Sequence, residues 1–120
     1  MTITIINHIR DDTMRYYKHL YLAEGLEKKK EKIIQKLEEN KLQISMHLIV
    51  LAQGDHNQLE ILNSILLLQP CYPKDDLFIV GLAKNYDEAI DLVEKIMKEV
   101  YDTTKGTDMR SYIIKKEQED

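Results

Sequence analysis

Two apolar runs, each leading into a segment with helical spacing, constrain this chain more than anything else in it. Leu48-Ile49-Val50-Leu51-Ala52 runs into Asp55 and then Leu59, Leu62 and Ile65. Ile79-Val80-Gly81-Leu82-Ala83 runs into Asp87 and then Ile90, Val93 and Ile96. One uniform shift superposes Leu51 on Leu82, Ala52 on Ala83, Glu60 on Asp91 and Ile65 on Ile96. An apolar run followed by a 3.6-period segment, twice, is the pattern of strand–helix units sharing one sheet. Any two such units look alike at this level, so the match is read as shared physics rather than duplication.

The remaining elements are read around these two. Thr2 and Thr4 alternate with Ile3 and Ile5, which suggests a short strand or an extended arm. Asp11, Asp12 and Thr13 are good N-cap residues, and Met14 to Glu39 has helical composition with one weak point at Gly25. Its apolar positions are Met14, Tyr17, Leu20, Tyr21 and Leu22 before the glycine, and Leu26, Ile33, Ile34 and Leu37 after it. Leu42, Ile44, Met46, Leu48 and Val50 alternate with polar residues, predicting a strand over 42–52. Gln53-Gly54-Asp55 makes a turn, and a helix follows to about Gln69, stopped by Pro70, whose ring and missing N–H cost a helix interior ~3 kcal/mol.

Leu77–Leu82 predicts a strand covered on both faces. Asn85 and Glu88 form a capping pattern, and the helix Tyr86–Tyr101 carries Ala89, Ile90, Val93, Ile96, Met97 and Val100 on one side. Met109–Ile114 reads as a last short strand. The expected fold class is α/β: a small, mostly parallel sheet of three or four strands. It forms one domain over residues 1–120, with a strand or arm at 1–10, a helical segment at 13–40, a βαβαβ unit at 41–115 and a frayed tail at 116–120.

Composition excludes several function classes. The formal net charge is −4, so attraction of the whole protein to nucleic acid or an anionic membrane is disfavoured. Positive charge is nearly all lysine; Arg10, Arg15 and Arg110 are the only arginines, which counts against a dedicated phosphate-binding surface. Lys28-Lys29-Lys30-Glu31-Lys32 is offset by Glu24, Glu27, Glu31, Glu38 and Glu39 and reads as a solvated helix face. The longest apolar runs fall far short of the about 20 residues of a membrane helix, and the N-terminus has no signal-peptide pattern. Cys71 is the single cysteine, which excludes an internal disulfide and suits a reducing, cytoplasmic setting.

Chemistry-bearing motifs are sparse. The glycine-rich nucleotide fingerprints are missing. His8, His19, His47 and His56 lack metal-ligand spacing, so neither a metal nor another cofactor is expected. Cys71 lacks a nucleophile elbow, Asp75 and Asp76 point apart in an extended chain, and no serine elbow occurs, so the chain leans away from an enzyme.

In a parallel sheet, ligands bind beyond the C-terminal strand ends. Gln53, Gly54, Asp55, His56, Lys84 and Asn85 are therefore the candidate ligand-binding residues, although turn formation and helix capping explain the same residues. Tyr16, Tyr17 and Tyr21 place aromatic surface on more than one side of the expected helix, an interface signal. The expectation is a non-enzymatic interaction module that self-associates, as a homodimer or other homo-oligomer. The alternative is a small-ligand or nucleotide-type sensor, or a minor enzyme, using the two strand-end turns.

Overall fold

The computed structural model describes residues 14–52 and 58–119, with only the backbone of Asp75. The expected N-terminal strand or arm lies outside the described residues. The chain forms β1 (Arg15–Leu22), α1 (Lys30–Glu38), β2 (His47–Leu51), β3 (Leu59–Asn63), β4 (Phe78–Ala83), α2 (Tyr86–Thr104) and α3 (Met109–Gln118). Short 3₁₀ turns occupy Glu27–Lys29, Ser64–Leu68 and Lys74–Asp76.

The sheet is mixed, not mostly parallel. Its order is β1-β4-β2-β3. β1 runs parallel to β4, while β2 is antiparallel to both β4 and β3. The two apolar runs do lie side by side, but head to tail: His47 faces Ala83, and Val50 faces Ile79. The βαβαβ unit does not form, because the segment after β2 returns as a strand. Leu51 pairs with Leu59 and His47 with Asn63, and the Ala52 N–H donates to the Gln58 carbonyl at 3.0 Å. Leu59, Leu62 and Ile65 fit a helix, but a short apolar run fits a strand equally well, and pairing with β2 decides between them. What remains of the expected helix is the 3₁₀ turn at Ser64–Leu68, capped by Asn63, whose side chain accepts the Ile65 N–H.

The expected helical segment at 13–40 divides in two. Its first half is β1, rich in tyrosine, a residue that loses rotamer freedom in a helix and packs well on a sheet. Gly25, at φ 89°, closes a tight turn in which Leu26 N–H donates to the Ala23 carbonyl at 3.1 Å. That positive φ is the third-position geometry of a type II turn, which favours glycine. α1 follows and buries Ile33 and Leu37.

The expected strand at 42–52 begins only at His47. Ser45 has φ 68°, which breaks the extended backbone, and Ile44 is 80% exposed. The expected strand Met109–Ile114 is instead part of α3, because Asp108 caps a helix there by accepting Ser111 N–H at 3.1 Å and Ser111 Oγ–H at 2.7 Å. The tail is not frayed from 116: α3 continues through Gln118, Glu117 accepts the Lys18 N–H at 2.9 Å, and Lys18 Nζ reaches the Glu119 carbonyl. These contacts cover part of the outer edge of β1, an edge that would otherwise invite pairing with another strand.

The strand at 77–82 and the helix at 86–101 are observed, as β4 and a slightly longer α2. β4 is buried along its whole length, and Leu48, Ile49, Ile79, Val80 and Leu82 are fully enclosed. Each such side chain contributes about 1.5–3 kcal/mol of burial energy. α2 lies across β4, β2 and β3, and α3 lies beside it over β1. Gly81 sets how closely α2 approaches, because a side chain there would come within 3.2 Å of both Ile49 Cδ1 and Leu92 Cδ2.

Candidate functional site

Antiparallel pairing separates the two turns that a parallel sheet would have joined. The C-terminal end of β4 lies beside His47 at the start of β2, so Lys84 and Ala52 sit at opposite ends of the sheet. Gln53, Gly54, Asp55 and His56 lie outside the described residues. Lys84 and Asn85 serve the start of α2. The Asn85 side chain accepts the Glu88 N–H at 2.8 Å, and Glu88 Oε1 accepts the Lys84 N–H at 3.2 Å. Lys84 Nζ also lies 3.6 Å from Glu88 Oε2. Asn85 thus satisfies a donor of the first helical turn, and Glu88 reaches back to the backbone just before the cap.

The tyrosines do not form a common exposed surface. Tyr17 is only 3% exposed and meets the Phe78 ring edge-on, with centroids 6.2 Å apart. Tyr21 is half-buried and donates to Glu99 Oε2 at 2.7 Å, and Tyr112 donates to the same oxygen at 2.8 Å. Burial is the main cause that pushes the Tyr17 phenol up to about 12, with the negative charge of Glu99 adding to it. Burial, then the Glu99 hydrogen bond, raise Tyr21 further in the same direction. Burial raises Tyr16, helped by Glu38. Tyr21 and Tyr112 tie β1 to α2 and α3 through Glu99, Tyr17 packs on β4, and Tyr16 lies near Glu38 of α1.

Apolar surface is left open around Leu42, Ile44, Ile65 and Leu68, at Ile114, and in a row along α2. Its sheet-facing side consists of Ala89, Leu92, Ile96 and Val100. Leu92 turns inward, and two residues of the expected inner face turn out: Ile90 is 37% exposed and Met97 48%. Tyr86 and Tyr101 are each 53% exposed. With half-buried Val93, these residues recur every three or four positions and form one continuous stripe along the helix. A helix packed on one sheet needs one apolar face; α2 carries a second beside it. The sequence held the signal in its unusually wide apolar set, which includes Ile90, Val93 and Met97.

A cleft of about 390 Å³ opens at the far end of the sheet, lined by Arg15, Leu51, Phe78, Arg110, Ile114 and Glu117 among others. The Arg15 guanidinium lies 4.9 Å from the Phe78 ring centroid. Arg110 ties α3 to the hairpin: its guanidinium donates to the Ala52 carbonyl, and its backbone N–H to Gln58 Oε1 at 3.1 Å. Among the described residues, no group of His, Cys, Asp and Glu could hold a metal, and no helix is long and apolar enough to cross a membrane. Cys71 is exposed in the loop before β4. Comparison with protein-family models, with curated proteins and with solved structures returns no match.

Proposed function

We propose that this chain is a non-enzymatic interaction module that self-associates, and that α2, not the tyrosines of β1, carries the contact. The observation behind this reading is the stripe Tyr86, Ile90, Val93, Met97 and Tyr101, beside the face already spent on the sheet. Burying such side chains between two copies removes apolar surface from water, and tyrosine and methionine are enriched at interfaces. The single cysteine supports a reducing, cytoplasmic setting for the module.

Sedimentation equilibrium tests this reading. The wild-type chain is expected to show a concentration-dependent mass above that of one chain. Met97→Glu, which places a charge in the stripe without touching the core, is expected to remove that dependence. A wild-type chain that stays monomeric at high concentration overturns the proposal.

A second reading follows from the cleft. Arg15 and Arg110 line it together with the acidic Asp76 and Glu117, beside an apolar wall formed by Leu51, Phe78 and Ile114, and Arg110 already donates to the Ala52 carbonyl. A guanidinium fork binds carboxylate and phosphate groups in two-pronged fashion, so Arg15, stacked on the Phe78 ring, is the group that would hold a small organic anion there. Thermal-shift measurements with citrate and with inorganic phosphate test this. Stabilisation that Arg15→Gln abolishes supports it, and no stabilisation by either anion counts against it.

A further inference from the structure

We propose that a second copy joins this chain edge to edge through β3, antiparallel about a two-fold axis at Ile61, so that two four-stranded sheets become one. This rests on the self-association reading and adds the strand that sets the register of the two copies.

The ladder shows which backbone groups are left over. Ala52 N–H donates to the Gln58 carbonyl at 3.0 Å, and Ser64 N–H to the Met46 carbonyl at 2.9 Å. In an antiparallel pair, bonded and open positions alternate, so Glu60 and Leu62 turn their backbone groups towards β2. Leu59 and Ile61 turn theirs outward, as Asn63 does its N–H, and among the described residues nothing pairs with these groups. A row of donors and acceptors at strand spacing is matched by another extended chain. At the opposite edge of the sheet the chain supplies its own cover, where Glu117 accepts the Lys18 N–H.

The occupant follows from what lies beside the open edge. Ile61 pairs with Ile49, and Ile49 Cδ1 stands with Leu92 Cδ2 against Gly81, so Ile61 and Leu59 project to the face that α2 covers. Both are half-buried. Glu99 turns one flank of α2 towards β1 and α3. At about 100° per residue, the stripe Tyr86, Ile90, Val93, Met97 and Tyr101 lies on the opposite flank, on the side of β3. Edge and stripe thus open on one side of one face. A fitting partner brings a strand to the edge and apolar side chains above it. A second copy, turned about a two-fold axis normal to the sheet, brings both, because that axis keeps α2 of each copy on the same face.

Glu60 selects the register. An axis at Ile61 pairs Ile61 with Ile61 and Leu59 with Asn63 of the second copy, and sets Glu60 across from Leu62. Moving the axis to Glu60 sets that carboxylate directly against its own copy, where like charges repel. Moving it to Leu62 leaves Leu59 without a strand partner. β3 follows β2 without a register shift and carries no proline or lysine, devices that keep other edges single.

Amide exchange and cysteine cross-linking test the seam. The Leu59 and Ile61 amides are expected to exchange at least about tenfold more slowly in concentrated protein than in dilute protein. In a Cys71→Ser background, Ile61→Cys oxidised alone is expected to cross-link, because like positions at the axis lie about 5.5 Å apart between Cα atoms, within disulfide reach. Leu59→Cys alone is expected not to, because its copies lie about 14 Å apart at 3.4 Å per residue. Cross-linking of Leu59→Cys without Ile61→Cys overturns the register. A dimer whose Ile61 amide exchanges as fast as in the monomer overturns the edge pairing and leaves self-association standing. An Ile61 amide already protected in dilute, monomeric protein shows the edge covered within one chain and overturns the proposal. A chain that is monomeric at every concentration overturns both readings.

Discussion

Glu99 on α2 accepts the hydroxyl of Tyr21 on β1 at 2.7 Å, joining residues 78 apart in the chain. Tyr112 on α3 donates to the same carboxylate oxygen at 2.8 Å, so one oxygen holds an edge strand and two helices together. Tyr21→Phe is expected to cost about 1.5 kcal/mol, the low end of the range for a hydrogen bond to a charged group, because Tyr112 still donates to the same oxygen. Tyr21→Phe and Tyr112→Phe share an acceptor, so their effects are expected to be non-additive by at least about 0.5 kcal/mol. Urea denaturation of the two single variants and the double variant checks both figures.

Gly81 sets the distance between β4 and α2. Gly81→Val would drive methyl groups into Ile49 and Leu92, each 3.2 Å from where a Cβ would stand. A loss of about 1–3 kcal/mol is expected, as for other overpacked cores. Chemical denaturation measures it, and a simultaneous Leu92→Ala change is expected to return part of the loss by making room.

Asn85 was a ligand candidate in the sequence and is a helix cap in the fold. Asn85→Ala is expected to cost ~1 kcal/mol of stability, with Asn85→Asp or Asn85→Ser close to neutral. Thermal unfolding of the three variants checks this. The order Asn, Asp and Ser above Ala is the mark of a cap.

The buried phenols predict alkaline sensitivity. Tyr17 is held protonated to about 12 in the fold, against 10.0 for the free side chain. Below pH 10 the phenol is neutral in both folded and unfolded chains, and the stability it contributes is fully present. Above that point the unfolded chain ionises first, so stability falls as pH rises towards about 12. Tyr21, raised further, extends the loss in the same direction. Denaturant midpoints measured from neutral pH upward are expected to stay flat on this account until pH 10 and then decline. Tyr17→Phe is expected to reduce the slope.

β4 and α2 were legible because their signals are local and agree: an all-apolar run, an Asn85–Glu88 cap and a periodic apolar face. β1 was not legible, for a physical reason. Between Tyr16 and Tyr21 the register slips, so five steps along β1 match two along β4. That bulge erases strand alternation and leaves Met14, Tyr17, Leu20 and Tyr21 at helical spacing. β3 and α3 were hidden by similar ambiguity in short apolar runs, resolved by pairing with β2 in one case and by the Asp108 cap in the other. At the candidate site, Ile90, Val93 and Met97 were visible as apolar, but which half of α2 faces the sheet depends on how Leu92 packs over Gly81. The place of Tyr21 was not legible because its acceptor, Glu99, is distant in sequence and near only in the fold.

The methyl resonance of Met97 tests the exposed stripe most directly. In a methionine-methyl-labelled sample, Met14 and Met46 serve as internal references, being 4% and 9% exposed within the core. If a second copy covers α2, the Met97 signal moves on dilution towards a monomer position while Met14 and Met46 stay fixed. A Met97 signal that holds still from dilute to concentrated protein, in a chain that remains monomeric, contradicts it.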